Sequence, residues 1–131
     1  MTKNNILITG CAGFIGSHAL DLLLKKGCTV VGIDKMTYAG KSSNLKPHQN
    51  FKFYELDICS TGKIKNIAQE NEIECIIHFA AESHVDNSIL GDNCFIDSNI
   101  TGTKSLMEVC KDLEIPMCHI STDEVYGPID N

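Results

Sequence analysis

Near the end of the chain, Ile-Ser-Thr-Asp-Glu-Val-Tyr-Gly at 120–127 sets two carboxylates, Asp123 and Glu124, side by side after the hydroxyls of Ser121 and Thr122. Two neighbouring acids in unlike environments can divide general-acid and general-base work, one staying protonated while the other is ionised. A solvated acid pair in a turn is the plainer reading. Near the other end, residues 10–16 read Gly-Cys-Ala-Gly-Phe-Ile-Gly, with Gly10, Gly13 and Gly16 in a G-x-x-G-x-x-G pattern. Glycines at that spacing let a backbone turn tightly and lie against a pyrophosphate, whose charge the N-terminal amides and dipole of a following helix stabilise. Such turns are common, so the pattern alone is weak. Asp34, 18 residues after Gly16, strengthens it, because an acid at the end of the next strand can accept hydrogen bonds from an adenosine ribose. That carboxylate would repel a ribose 2′-phosphate and favours NAD over NADP, although Lys35 beside it could receive a phosphate. Asp57 occupies the analogous edge and could hold an adenine amino group, or serve as a turn residue.

The elements that must position these groups follow from the apolar pattern. Strand-length apolar runs alternate with helix-length stretches, as in repeated βαβ units over a parallel sheet. Residues 5–10 read as strand 1. The stretch 14–27 reads as a helix, with Ile15, Ala19, Leu22 and Leu23 on one face and Gly27 as its stop. Residues 28–34, 51–57 and 74–81 read as strands 2, 3 and 4, and 60–72 as a helix with Ile64, Ile67 and Ala68 inward. From Ile89 to Leu113 the chain reads as mostly helical, ended by Pro116, before strand 5 at 117–122. Right-handed crossovers then predict a Rossmann-like α/β fold, helices on both faces of a parallel sheet ordered 3-2-1-4-5, incomplete on its C-terminal side, with strand 5 at an open edge. Adjacent residues on a strand face opposite ways, so both acids reach one ligand only where the backbone turns at the strand's carboxyl end.

Composition sets the boundaries. A chain of 131 residues is one domain's worth, read as a single NAD-binding domain over 1–131. A net charge of −6 offers no basic footprint for nucleic acid or anionic lipid, and no apolar run approaches a membrane span. Neither nucleic acid nor membrane is an expected partner, and the expected location is cytoplasmic. The seven cysteines are scattered, odd in number and never spaced Cys-x-x-Cys, so they read as small buried apolar residues in a reducing compartment, with no metal site.

The segments Gly-Cys-Ala-Gly-Phe-Ile-Gly-Ser (10–17), Asp-Lys-Met-Thr-Tyr-Ala-Gly (34–40), the run 78–89, Asn-Ile-Thr-Gly-Thr (99–103) and Ser-Thr-Asp-Glu-Val-Tyr-Gly (121–127) occur in an order that resembles the extended short-chain dehydrogenase/reductase family, most closely its dTDP-glucose 4,6-dehydratases. The resemblance covers essentially all of this chain but only the N-terminal part of such an enzyme. It implies tightly held NAD and a nucleotide-sugar substrate that is oxidised at C4, loses water across C5 and C6, and is reduced at C6. The C4 ketone acidifies the C5 proton, so a carboxylate suffices as base. Glu124 would be that base, Asp123 would protonate the departing C6 hydroxyl, and Thr122 would hydrogen-bond the sugar near C4.

Carried over by position, Phe14 and Ile15 match backbone contacts to the pyrophosphate. Asp34, Lys35, Met36 and Thr37 match the adenosine ribose region, and Asp57 and Ile58 the adenine. Phe79, Ala80, Ala81, Glu82 and Ser83 match the strand 4 exit along the cofactor, with Ser83 also touching substrate; ordinary sheet core is the alternative for 79–81. Ser98 stands where the family usually has threonine. His84 matches a place near substrate phosphate, a structural role being equally open. Cys11 replaces a frequent glycine. As a thiol near a helix N-terminus it is expected to have a lowered pKa and to be prone to oxidation, which would block the cofactor.

The family's Tyr-x-x-x-Lys pair is missing, since Tyr38, Tyr54 and Tyr126 are followed four residues later by Ser42, Ile58 and Asp130. Its substrate domain and a helix used for dimerisation are missing too. The 131 residues alone are therefore expected to have little or no dehydratase activity, and a complementing C-terminal chain or a homodimer is the expected partner beside the sugar nucleotide. A stand-alone nucleotide- or partner-binding chain without catalysis, or a fragment of a related epimerase or of a dehydratase acting on UDP-glucose, is the alternative.

Overall fold

In the computed structural model, which describes residues 4–82 and 96–128, five strands form one sheet in the order β3-β2-β1-β4-β5. The strands are β1 (Asn5–Thr9), β2 (Thr29–Asp34), β3 (Phe51–Glu55), β4 (Cys75–His78) and β5 (Met117–His119). Every pairing is parallel, and the register sets Thr9 opposite both Ile33 and His78. The chain therefore leaves β1, β2 and β4 at the same edge, which is where an open parallel sheet offers a crevice.

Alternation along each strand divides the core in two. Leu7, Val31, Ile33 and Ile76 point to one face, where they meet Ile64 and Ile67 of α2 (Thr61–Glu70) and Leu106 and Val109 of α3 (Thr103–Leu113). Ile6, Ile8 and Val30 point to the other, against Leu20 of α1 (Phe14–Lys25). Thr61 and Ser105 hydrogen-bond between α2 and α3, and Lys65 pairs with Asp112 at 3.0 Å.

Among the described residues, the three α-helices stop in the same way. After α1, Gly27 adopts φ +83°, its N–H bonds the Leu24 carbonyl and the next N–H, of Cys28, bonds Leu23. This is the Schellman pairing, which satisfies carbonyls that a helix end would otherwise leave open. Glu72 after α2 (φ 50°) and Glu114 after α3 (φ 55°) repeat it, with Ile73 bonding Ala68 and Ile115 bonding Cys110. In each case a strand begins within three residues of the left-handed position.

The fold and strand order match the sequence reading, while several boundaries differ. β3 ends at Glu55 and β4 at His78; beyond β4, Phe79 and Ala80 still pack against the core while the chain leaves the sheet. The expected helix 89–113 is not one α-helix: a π-helical segment, Ile96–Gly102, precedes α3, and residues 89–95 lie outside the described part. β5 forms a sheet edge and is three residues long. Among the described residues no helix is long and apolar enough to cross a membrane.

Candidate functional site

The glycine loop is built by contacts that forbid a side chain at two of its three glycines. Gly10 has φ +70°, and a Cβ there would stand 2.7 Å from the Ala80 nitrogen. A Cβ on Gly16 would stand 2.1 Å from the Gly10 carbonyl oxygen. Gly13 differs: its φ of −77° suits any residue, and the nearest atom to a Cβ would be the Gly10 oxygen at 3.4 Å, an ordinary contact. The free space beside Gly13 opens into a cleft of about 760 Å³.

Asp34 ties the loop to β2. Its Oδ2 accepts from the Ala12 N–H at 2.9 Å and its Oδ1 from the Met36 N–H at 2.8 Å, the latter holding Met36 in the left-handed region at φ 58°. The Ala12 carbonyl accepts from Asn44 Nδ2 (2.8 Å) and the Lys41 N–H (3.1 Å). With one amide on each oxygen, the carboxylate keeps acceptor capacity for further donors. Lys35 turns away to Asp57, at 2.9 Å. Its ammonium is held above the usual lysine range chiefly by that bond to Asp57. Burial pulls Asp57 upward, but the Cys59 N–H on its Oδ1 (2.9 Å) and Lys35 outweigh this and leave its pKa lowered. Asp57 thus forms a turn at the end of β3 while its side chain stays at the cleft wall.

The opposite wall is the exit of β4, where Phe79, Ala80, Ala81 and Glu82 line the cleft. Asn99 clamps this segment: its Oδ1 accepts from the Glu82 N–H (2.9 Å) and its Nδ2 donates to the Glu82 carbonyl (3.1 Å). The Glu82 carboxylate accepts from the Tyr38 hydroxyl at 2.9 Å, joining the loop after β2 to the loop after β4.

Of the residues expected at the site, Gly10, Gly13, Phe14, Ile15 and Gly16 of the loop, Asp34, Lys35 and Thr37 after β2, Asp57 and Ile58 after β3, 79–82, Ser98 and Thr122 share this cleft. Met36 does not line it. Ser83 and His84 lie outside the described residues. The acid pair is not brought into the cleft. Ile120 still bonds the His78 carbonyl (3.0 Å), Thr122 is extended, and the backbone then turns in one 3-10 turn, Asp123–Tyr126. Asp123 and Glu124 sit on that turn, exposed, beside rather than within the cleft.

Cys11 corrects the sequence reading. It is fully buried, three residues ahead of α1, and its sulfur packs where a Cβ on Gly32 would stand 2.6 Å away. Burial first, and the nearby Asp34 charge second, push its thiol up to about 12, so it is protonated and shielded rather than acidic and oxidisable. Asn44, Tyr38 and Asn99 were not singled out from the sequence. Each acts on a partner 17 to 44 positions away, a relation that no local spacing signals.

A family model described as GDP-mannose 4,6 dehydratase matches residues 7–131. A dTDP-glucose 4,6-dehydratase of Salmonella typhimurium is 43% identical over 95% of this chain and 38% of its own length. A trifunctional UDP-glucose 4,6-dehydratase/UDP-4-keto-6-deoxy-D-glucose 3,5-epimerase/UDP-4-keto-L-rhamnose-reductase of Arabidopsis thaliana is 43% identical over 98% of this chain and 20% of its own. Among solved structures, a dTDP-glucose 4,6-dehydratase of Streptomyces venezuelae with NAD bound superposes with a TM-score of 0.88 at 38% identity, covering 97% of this chain and 42% of that one. A UDP-glucose 4-epimerase of Thermotoga maritima gives 0.87 at 32%, covering 97% and 41%. The chain thus spans about two fifths of the length of the dehydratase from Salmonella.

Proposed function

This chain belongs to the GDP-mannose 4,6 dehydratase family, and on that premise we propose that residues 1–131 are the NAD-binding domain of a nucleotide-sugar 4,6-dehydratase, with dTDP-glucose as substrate and dTDP-4-keto-6-deoxyglucose as product. The observation that carries this reading is the cleft at the carboxyl edge of the sheet, where a glycine turn at a helix N-terminus, an anchored strand-end carboxylate and the exit of β4 face one another. The pieces fit a dinucleotide. The first-turn amides of α1 suit a pyrophosphate, Gly13 leaves room that the protein itself does not use, and Asp34 retains acceptor capacity for ribose hydroxyls. Lys35 is engaged by Asp57, which supports NAD over NADP, because the cation nearest Asp34 in sequence is already paired.

When bound, NAD supplies the hydride acceptor for C4 and the donor for C6. Thr122, at the cleft wall after β5, hydrogen-bonds the sugar near C4. Glu124 takes the C5 proton and Asp123 donates one to the departing C6 hydroxyl, both from the exposed 3-10 turn that directly follows Thr122 of the cleft wall. Oxidation at C4 needs a base with the Tyr-x-x-x-Lys pattern, which these residues lack. We therefore propose, as partner in the cytoplasm, a C-terminal segment or complementing chain that carries this pair, with a homodimer as the alternative.

Calorimetric titration of the 131-residue chain tests the binding half. NAD should bind with one site per chain, and NADP at least about tenfold more weakly, the size of effect expected for one unfavourable charge contact. Equal affinity for the two, or no NAD binding, would overturn the reading. The catalytic half is tested by adding the segment with Tyr-x-x-x-Lys: turnover of dTDP-glucose should appear only in its presence and be lost in Glu124→Gln.

A further inference from the structure

Below the cleft floor lies a buried polar chain that none of the site's direct contacts explains. His78, 1% exposed at the end of β4, sits opposite Thr9, itself fully buried, at the end of β1. Its Nδ1 is 2.6 Å from Thr9 Oγ1, and its Nε2 is 2.9 Å from Thr103 Oγ1 at the start of α3. Thr9 Oγ1 also accepts from the Ala80 N–H at 3.2 Å. The His119 ring of β5 stacks on His78, centroids 4.9 Å apart.

Only one arrangement of protons uses every group. The Ala80 amide can only donate, so Thr9 Oγ1 accepts there and turns its own proton to Nδ1; the ring proton is then on Nε2 and goes to Thr103. The opposite tautomer would aim two protons at Thr9 and strand its hydroxyl hydrogen in a buried place, where an unmade hydrogen bond is costly. Among the described residues no buried side-chain nitrogen or oxygen lacks a partner. Burial, followed by the neighbouring His119, pushes the His78 pKa down to about 4, which keeps Nδ1 available as an acceptor at neutral pH.

The end of this chain is a position that matters. The Ala80 nitrogen is the atom a Gly10 side chain would strike at 2.7 Å, and Ala80 is the point where the β4 exit meets the glycine turn at the cleft wall. We infer that His78 is a positioning residue for this cleft: by fixing the Thr9 hydroxyl it holds the Ala80 amide against the Gly10 turn and so sets the width of the cleft between the two. The link is geometric and independent of what occupies the cleft; only its effect on affinity rests on the NAD reading.

The test compares two substitutions that keep His78 polar. Asparagine places its carbonyl oxygen near Nδ1 and reaches Thr9, whereas glutamine places its amide near Nε2 and reaches Thr103. Amide hydrogen exchange at Ala80 is read together with NAD affinity in the 131-residue chain. His78→Asn should keep Ala80 protection and the NAD Kd within about twofold of the parent. His78→Gln and Thr9→Val should each lose about tenfold in both, in proportion to one weakened buried hydrogen bond, and Thr9→Ser should restore them. A merely space-filling histidine would not rank asparagine above glutamine. Equal Ala80 protection in the two His78 variants, or unaltered protection in Thr9→Val, overturns the inference. If the parent chain fails to bind NAD, the cofactor reading falls, and Ala80 exchange alone still decides the role of His78.

Discussion

Gly13 is the loop residue whose missing side chain the protein does not itself require, and that makes it diagnostic. At φ −77° with only an ordinary 3.4 Å contact beside it, alanine fits, so Gly13→Ala should leave stability within about 1 kcal/mol of the parent, the unfolded chain's lost freedom offsetting alanine's poorer fit at the N-cap. NAD affinity should fall at least about tenfold, because a methyl group would stand where the pyrophosphate must approach. Gly16→Ala is the contrasting case. Its Cβ would meet a backbone oxygen at 2.1 Å that cannot swing away, and a loss of about 2 kcal/mol or more in urea unfolding is expected. Unimpaired NAD binding by Gly13→Ala would count against a dinucleotide in this cleft. The two glycines are indistinguishable in sequence. The spacing from glycine loop to Asp34 was legible because it reflects the length of a βαβ unit, but which glycine serves the fold and which serves a ligand depends on how the loop folds back, Gly16 against the Gly10 carbonyl and Gly10 against Ala80 some 70 residues away. Cys11 was misread for a related reason: its place ahead of a helix suggested an exposed acidic thiol, whereas Gly32 in β2 creates the buried notch that the sulfur fills.

At the scale of elements, the strands and their order were legible because each is a short apolar run and right-handed crossovers leave few arrangements. The helix ends were legible at Gly27 and, for α3, from Pro116. Glu72 and Glu114 carry no sequence mark of a left-handed residue, yet the strands that follow α2 and α3 require the same tight reversal that Gly27 permits after α1. A non-glycine residue in that region costs about 1–2 kcal/mol, offset by the roughly 0.5–1 kcal/mol of extra backbone entropy that glycine loses on folding. Glu114 is exposed, so Glu114→Gly should raise stability by about 0.5–1 kcal/mol in urea unfolding without moving the end of α3. A lower midpoint would mean that the Glu114 side chain stabilises the turn by more than its backbone strain costs. The π-helical stretch 96–102 was equally illegible: its apolar spacing resembles an α-helix, and only the structure shows that Asn99 projects to the β4 exit while Gly102 packs so closely on Ile58 that a Cβ would meet its side chain.

For the molecule as a whole, the buried polar chain links the cleft to its pH stability. His78 has a folded pKa of about 4 against an ordinary value of 6.5, so between those pH values the unfolded chain binds a proton that the folded chain refuses. Stability is then greatest above pH 6.5 and declines as pH falls toward 4, by about 3 kcal/mol in all. Asp57, whose folded pKa is lowered, adds a second loss that sets in as pH falls through the ordinary carboxylate range and continues below it, as its hold on Lys35 and the Cys59 amide is protonated away. Urea unfolding measured at intervals from pH 7.5 to 3.5 should therefore show a main decline from about pH 6.5 to 4. In His78→Asn, which keeps the tie to Thr9 but cannot titrate, that decline should be largely absent while the loss at lower pH persists. Because asparagine preserves the positioning contact, a flattened pH profile with unchanged Ala80 protection would separate the two properties of one residue: the charge it refuses and the acceptor it presents. A decline of the same size in His78→Asn would place the titration on another group and leave His78 only its role as an acceptor.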